Sequence, residues 1–309
     1  MNATFVTEFV IIGFSKLLDF QKPLFVVFLI LYMLAILGNL LIIGIIILEP
    51  RLHTPMYFFL TNLSMLDIFC SSTAVPKMLH NLLTEKNTIS FSGCMAQLYL
   101  FTSFLGTELS LLAVMSFDRF VAICLPMRYP TIMNKSMCVG LAAYVWLLGT
   151  SNAIWLTALT FRLSFCGPNV VNHFFCEIPP VLKLSCSDTT LNDYATLVAD
   201  LIFGLTCFML TLVSYICIIS SIVKIRSNDK KRKAFSTCAS HLNVVAMLYG
   251  TTMYTYVQPM SPYSMDDDKI VSVMYTLVSP LLNPVIYTLR NKEVIQAFKK
   301  VWKKMFSKM

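Results

Sequence analysis

The chain reads as an all-helical membrane protein: a seven-transmembrane helix bundle with a short amphipathic eighth helix. Three observations predict this. Hydrophobic residues make up 57% of the 309 and charged residues only 13%, against about 25% charged in an ordinary soluble domain. Mean hydropathy is +0.70. Apolar runs of roughly 20 residues, the length that crosses a bilayer as a helix, recur from one end to the other.

Residues 1–22 form a short polar head. They include the sequon Asn2-Ala3-Thr4, which predicts a glycan on Asn2 if the head faces outward. The head has no basic n-region, so no cleavable signal peptide is expected, and the first span serves as its own insertion signal. The transmembrane domain is expected over 23–289, with spans at about 23–48, 55–83, 92–124, 137–159, 193–225, 234–257 and 270–289. Span one is aliphatic except for Gly38-Asn39. A buried Asn must hydrogen-bond something, so Asn39 predicts a polar partner on a neighbouring helix. Pro55 suits the first turn of span two, where its missing N–H costs nothing, and Pro76 should kink that span's outer end. Asp67 lies mid-span. Span three carries Cys94 at its outer end and Glu108 in its middle. Span four contains Trp146, which reads equally as a packing residue or a functional one. Residues 160–192 are polar and rich in turn formers, and read as a long structured loop. The segment Lys224–Lys233 holds six cations. Span seven carries Pro280 and Pro284. In the tail, 290–309, Val294, Ile295, Phe298, Val301, Trp302, Met305 and Phe306 recur at i, i+3/i+4 with lysines between. That is the pattern of an amphipathic helix lying on a membrane surface.

Seven spans put the termini on opposite sides. Of the 24 Lys and Arg residues, 17 fall on the side of the odd-numbered loops and the tail: Arg51, Arg119, Arg128, Lys135, the six of Lys224–Lys233 and seven from Arg290 to Lys308. That side is cytoplasmic by the positive-inside rule. The net charge of +8 therefore follows the loops and does not point to nucleic acid. The head and the cysteine-rich loop lie outside, where disulfides persist.

Six cysteines (Cys70, Cys124, Cys138, Cys207, Cys217 and Cys238) sit in spans or at their inner ends and read as small apolar residues. Cys94, Cys166, Cys176 and Cys186 face the oxidising side. Four cysteines allow three pairings, and spacings of ten fit no compact zinc motif.

The intramembrane charges need explaining, since each costs about 2.5–3.5 kcal/mol near a helix centre. Asp118 and Arg119 have one explanation as a local ion pair, but adjacent residues do not share a helix face, so Arg119 is expected to point at another helix. Asp67 and Glu108 have no cationic neighbour at membrane depth. They suggest a bound cation or a shared proton, with Asn39 and Asn283 adding the oxygen ligands that hard cations prefer. Paired carboxylates also serve acid–base catalysis, but no nucleophile, metal motif or phosphate loop lies near them, and no enzyme is expected. A transporter would carry such carboxylates too; it predicts inverted repeats or broken helices, and neither is visible. Asp200, in the outer third of span five, either lines a ligand pocket or is hydrated near the surface.

These residues amount to a pattern. Leu52-His53-Thr54-Pro55-Met56-Tyr57-Phe58-Phe59-Leu60 matches the L-H-T-P-M-Y-F-F-L of the olfactory receptors, within the rhodopsin-like G-protein-coupled receptors. Lys233-Ala234-Phe235-Ser236-Thr237-Cys238-Ala239-Ser240-His241 matches their K-A-F-S-T-C-x-S-H. Pro280-Leu281-Leu282-Asn283-Pro284-Val285-Ile286-Tyr287-Thr288-Leu289-Arg290-Asn291 resembles P-x-L-N-P-x-I-Y-S-L-R-N, with Thr288 for Ser. Met115-Ser116-Phe117-Asp118-Arg119-Phe120-Val121-Ala122-Ile123-Cys124 is similar to M-A-Y-D-R-Y-V-A-I-C. It departs at Ser116, and Phe117 and Phe120 lack the two phenolic hydroxyls. The resemblance covers nearly the whole chain, and the length and short third outer loop resemble the tetrapod-type (class II) branch.

The resemblance implies a receptor that binds small volatile odorants between spans three, five, six and seven and activates an olfactory-type stimulatory G protein, raising cyclic AMP. The alternative is a rhodopsin-like receptor for another small ligand. The pocket implied is Phe101, Thr102, Leu105, Gly106, Ala199, Asp200, Phe203, Thr252, Met253, Tyr256, Val273 and Thr276. Asp118 and Arg119 become a latch, Tyr215 and Tyr287 its switch tyrosines, and Tyr249 lies one turn below the ligand. Asp67, Glu108, Asn39, Ser279 and Asn283 become a sodium site, with no other cofactor. The pairing Cys94–Cys176 and Cys166–Cys186 is likewise implied. So is a multi-pass location in the plasma membrane, in the cilia of sensory neurons, with membrane lipid around the chain.

Overall fold

The computed structural model describes residues 6–14, 20–84, 87–166, 168–257, 265–290 and 292–306. Span one is Gln21–Leu48, span two Pro55–Leu83, span three Phe91–Cys124 and span four Lys135–Phe161. Span five runs unbroken through Thr190–Ala199, a π-helical stretch Asp200–Thr206 and Cys207–Val223. Span six is Asn228–Val257. Span seven joins Met265–Val273, a second π-helical stretch Met274–Val278 and Ser279–Arg290. A tail helix follows at Lys292–Phe306.

Six helices among the described residues are long and apolar enough to cross a membrane. Span six is 30 residues long but less greasy, because its first turns carry Asp229, Lys230, Lys231, Arg232 and Lys233. It is held by packing: Val244, Val245, Leu248 and Tyr249 are buried in the main core. Spans one, four and five show the opposite pattern. They expose Ile47, Leu147, Leu210 and Val223 among many others, a surface that suits lipid and would be unusual in water. Multiple apolar helices with such coats make this a multi-pass membrane protein.

Span three lies at the centre, packed against spans two, four, five and six. Its start is fixed by Ser90, whose side chain accepts from the Gly93 N–H at 3.1 Å; Asn134 caps span four through the Met137 N–H at 2.9 Å. Both satisfy amide donors that a helix start leaves unpaired. Spans three and four approach so closely at Gly149 that a Cβ there would stand 2.8 Å from the Ser103 carbonyl oxygen and 2.9 Å from the Thr107 nitrogen. Small residues at such crossings let backbones meet where no hydrophobic force drives helices together.

The end of the bundle that carries the N-terminus is capped by a three-stranded sheet. Strand β1, Glu8–Ile11, pairs antiparallel with β2, Thr88–Ser90, and parallel with β3, Val170–Val171. The strand alternation of side chains turns Phe9 and Ile11 into the core, both nearly fully buried. Phe9 meets the rings of Phe91 and Phe165. The head is therefore not merely polar: an alternating apolar pattern threads it through the sheet. Gly13 ends the strand at φ +52°, a left-handed turn that glycine adopts without steric cost.

Disulfides join Cys94 to Cys176 and Cys166 to Cys186. The first ties the loop between spans four and five to the start of span three; the second closes that loop on itself. At the opposite, basic end the tail helix docks on the bundle. Val294 and Ala297 are buried in the core with Phe298 packed beside them. Lys300 Nζ pairs with Glu49 at 2.7 Å, and Tyr57 donates to Glu293 at 3.1 Å. The side chains of Trp302, Met305 and Phe306 lie outside the described residues.

Candidate functional site

Span three carries three zones in succession, and each meets different neighbours. The first holds the residues of the implied pocket. Phe101 is buried, edge-on to Phe175 of the disulfide-tied loop with centroids 4.7 Å apart, and 5.8 Å from the ring of Tyr275 on span seven. Leu105 is buried one turn further on. Gly106 faces Phe203 of span five: a Cβ there would sit 3.5 Å from the Phe203 ring, in ordinary van der Waals contact. Ala199 and Phe203 are buried, with the half-buried Asp200 between them opening the π-helical stretch. Among the described residues Asp200 has no hydrogen-bond or ion-pair partner. Thr252 and Thr276 are buried, their hydroxyls donating to carbonyls of their own helices, Leu248 at 2.8 Å and Ser272 at 2.6 Å. Thr102, Met253 and Val273 are half-buried. The side chain of Tyr256 lies outside the described residues.

Over this zone sits a buried polar cluster that sequence reasoning missed. Tyr275 donates its hydroxyl to Glu177 at 2.9 and 3.1 Å. Ser272 bridges Tyr275 at 2.6 Å and His173 Nε2 at 3.2 Å. Burial, with the nearby Lys269 charge, pushes His173 down to about 3. Its ring is neutral at pH 7, so its 3.9 Å approach to Glu177 is not an ion pair there. The available signal was position: His173 and Glu177 flank Cys176, which the disulfide holds against span three.

The second zone is a polar centre. Asp67, fully buried, accepts from Asn283 Nδ2 at 2.9 and 3.1 Å. Asn39 donates to the carbonyls of Ala35 at 3.0 Å and Pro280 at 2.9 Å. Pro284 has no N–H to give the carbonyl four residues back, and that carbonyl is Pro280's. Asn39 replaces the missing helical bond from span one. Gly38 makes the approach possible, because a Cβ there would lie 3.2 Å from the Pro284 ring. The remaining oxygens are orphans. Asn39 Oδ1, both oxygens of Glu108, Ser279 Oγ, Asn283 Oδ1 and Tyr287 Oη are buried with no hydrogen-bond partner among the described residues. Each such atom costs about 1–3 kcal/mol if nothing fills its place. Together with Asp67 these atoms are all oxygens and include two carboxylates, a donor set that fits a hard cation.

The third zone is the Asp118–Arg119 pair. Arg119 turns back onto Asp118, with Nη2 and Nε at 2.8 and 3.1 Å from Oδ2. This corrects the expectation that it points at another helix. Adjacent Cα–Cβ bonds diverge, but a guanidinium on a three-carbon stem reaches across one residue. The other carboxylate oxygen accepts from Tyr129 at 2.9 Å. Tyr129 stands on the one-turn helix Tyr129–Ile132 after span three. Burial, then the Asp118 charge, raises its phenol above the usual range. Beyond the pair, Tyr215 bonds His241 Nδ1 at 2.7 Å, the two rings stacked at 13°. Ser116 reaches Thr211 of span five at 3.4 Å. Tyr249 donates to the Leu109 carbonyl at 2.8 Å, tying span six to span three.

A family model described as olfactory receptor matches residues 28–305. The chain belongs to the olfactory receptor family. It is 49% identical over 302 residues to olfactory receptor 13G1 of Homo sapiens, covering 98% of each chain. It is 49% identical over 300 residues to olfactory receptor 5AP2 of Mus musculus, covering 97% of this chain and 95% of that one. Olfactory receptor 13A1 of Homo sapiens is 50% identical over 301 residues, covering 97% and 92%. The three zones thus belong to an odorant G-protein-coupled receptor, and the bundle is that of a seven-transmembrane receptor.

Proposed function

We propose that small, volatile, weakly polar odorants bind among Phe101, Thr102, Leu105, Gly106, Ala199, Asp200, Phe203, Thr252, Met253, Tyr256, Val273 and Thr276. The occupied receptor then drives an olfactory-type stimulatory G protein and raises cyclic AMP. The observation that carries this is the layout of span three. One continuous helix presents Phe101 and Leu105 at one end, Glu108 in the middle and the Asp118–Arg119 pair at the other. A ligand that displaces the first zone acts on the helix that holds the latch.

Apolar walls with a few hydroxyls suit such ligands. Agonism requires tighter binding to the state in which Arg119 has left Asp118. Tyr215 and Tyr287 are the groups that receive it, and Tyr249 links the pocket end of span six to span three. Asp67, Glu108, Asn39, Ser279 and Asn283 hold a sodium ion in the resting receptor. The ion supplies the positive charge that two buried carboxylates lack. The excess of Lys and Arg at the other end supports a head and disulfide-closed loop that face outward, the family resemblance supports the plasma membrane of sensory cilia, and Asn2, which lies outside the described residues, is the glycan site of this reading.

The test is a cyclic-AMP assay in cells expressing the chain, against an odorant panel. The expected result is a concentration-dependent rise with at least one odorant, lost in Arg119→Ala at equal surface level. Silence of a surface-expressed chain to the whole panel, with no coupling from any constitutively active variant, overturns the reading.

A further inference from the structure

We propose that the groove between spans five and six at the basic end is a binding site for an anionic membrane phospholipid. The groove is a cavity of about 350 Å³, within the roughly 300–1,000 Å³ of small-ligand sites. Its walls are Ile219, Ile222 and Val223 of span five and Phe235 of span six. Ile222 is buried, with Tyr215 and Ile218, in the small core beneath. Ile219, Val223 and Phe235 are 50%, 63% and 62% exposed. The groove therefore has a sealed floor and opens sideways, toward the lipid that surrounds a multi-pass bundle.

Its mouth is cationic. Lys231 and Arg232 line it, one turn into a helix that begins at Asn228. Backbone N–H groups at a helix start add positive potential for an anion. An apolar slot, two cations and a helix N-terminus in one place match an amphiphile whose acyl chain enters the slot while its phosphate stays at the mouth. A neutral lipid leaves the cations unused, and a free phosphate leaves the slot empty. The proposal is independent of which odorant the receptor binds.

The experiment uses the whole receptor in phosphatidylcholine nanodiscs doped with either a photoactivatable phosphatidylinositol bisphosphate or an equal amount of photoactivatable phosphatidylcholine, with cross-links mapped by mass spectrometry. The anionic probe is expected to label residues 219–235 more than the neutral one. Removing Lys231 and Arg232 as alanines lowers that labelling about fivefold per residue, the worth of one cation near a charged membrane surface. Ile219→Trp fills the slot and removes it. The two variants act through different groups, so a folding failure in one leaves the other to decide. Equal labelling by both lipids, or labelling untouched by either variant, overturns the proposal. Full protection by soluble inositol phosphate without effect of Ile219→Trp assigns the mouth to a free phosphate and also overturns it. So does a groove that neither lipid labels but the G protein protects.

Discussion

The hydroxyl of Tyr129 and the carboxylate of Asp118 stand 2.9 Å apart, on the side of that carboxylate that Arg119 leaves open. One acid thus accepts from a loop and from its own helix at once. A hydrogen bond to a charged group contributes about 1.5–3 kcal/mol. Tyr129→Phe is expected to weaken the hold on the resting state and raise basal cyclic AMP severalfold at equal surface expression. An unchanged basal signal would remove Tyr129 from the latch.

The orphaned oxygens around Asp67 predict a sodium effect. Replacing extracellular sodium with an organic cation too large for the site should raise agonist affinity, within the roughly 5–150-fold of ordinary allosteric couplings. Asn283→Ala should remove the sodium dependence. Sodium sensitivity that survives both Asn283→Ala and Asp67→Asn would place the ion elsewhere.

The crossing at Gly149 predicts a steep local penalty. Gly149→Ala must push a methyl against the backbone of Ser103 and Thr107, and overpacking of this kind costs about 1–3 kcal/mol. Gly140, on the same helix, has nothing within 4 Å of its would-be Cβ. Gly140→Ala should leave thermal stability in detergent unchanged while Gly149→Ala lowers it; equal effects would refute the close approach.

His173 predicts a sensitivity to acid. The folded chain keeps its ring neutral to about pH 3, whereas an unfolded histidine takes up a proton near 6.5. Below 6.5 the unfolded state binds more protons, so stability falls as pH falls. Between pH 6.5 and 5 the loss is about 1.5 kcal/mol, since the slope starts at half of about 1.36 kcal/mol per unit and approaches it below pH 6. Thermal unfolding at those two pH values should separate the native chain from His173→Gln, in which the slope is reduced.

Asp200 predicts selectivity. Its half-buried carboxylate has no partner among the described residues, so Asp200→Asn should lower potency for ligands with an amine or strongly polar group and spare the rest. A uniform loss across ligands would mean the substitution acts on the fold.

The helical membrane fold was legible because the bilayer demands length and greasiness, and both are one-dimensional. The need of Asn39 for a partner was legible too, since a buried amide must bond. Its partner was not, because the Pro280 carbonyl becomes available only through Pro284, and the pairing spans 241 positions. Arg119 was misjudged because face arguments follow Cβ directions and ignore side-chain length. The strand through Phe9 and Ile11 escaped notice because four residues of alternation are short, and their partners β2 and β3 lie in other loops. The polar cluster at Glu177 and Tyr275 joins a loop to a span, and its one local sign was the position of His173 and Glu177 beside Cys176.

The π-helical stretches Asp200–Thr206 and Met274–Val278 interrupt the outer halves of spans five and seven, away from the latch. Each closes wider hydrogen-bonded turns than an α-helix. Deleting one residue within either would return it to α geometry, with the turns on both sides keeping their register and only the residues of the widened turn re-aimed. The side chains offered to ligand would change while Asp118, Arg119 and Tyr215 kept their places. A repertoire of receptors built on this frame can diversify by gaining and losing single residues as well as by exchanging them.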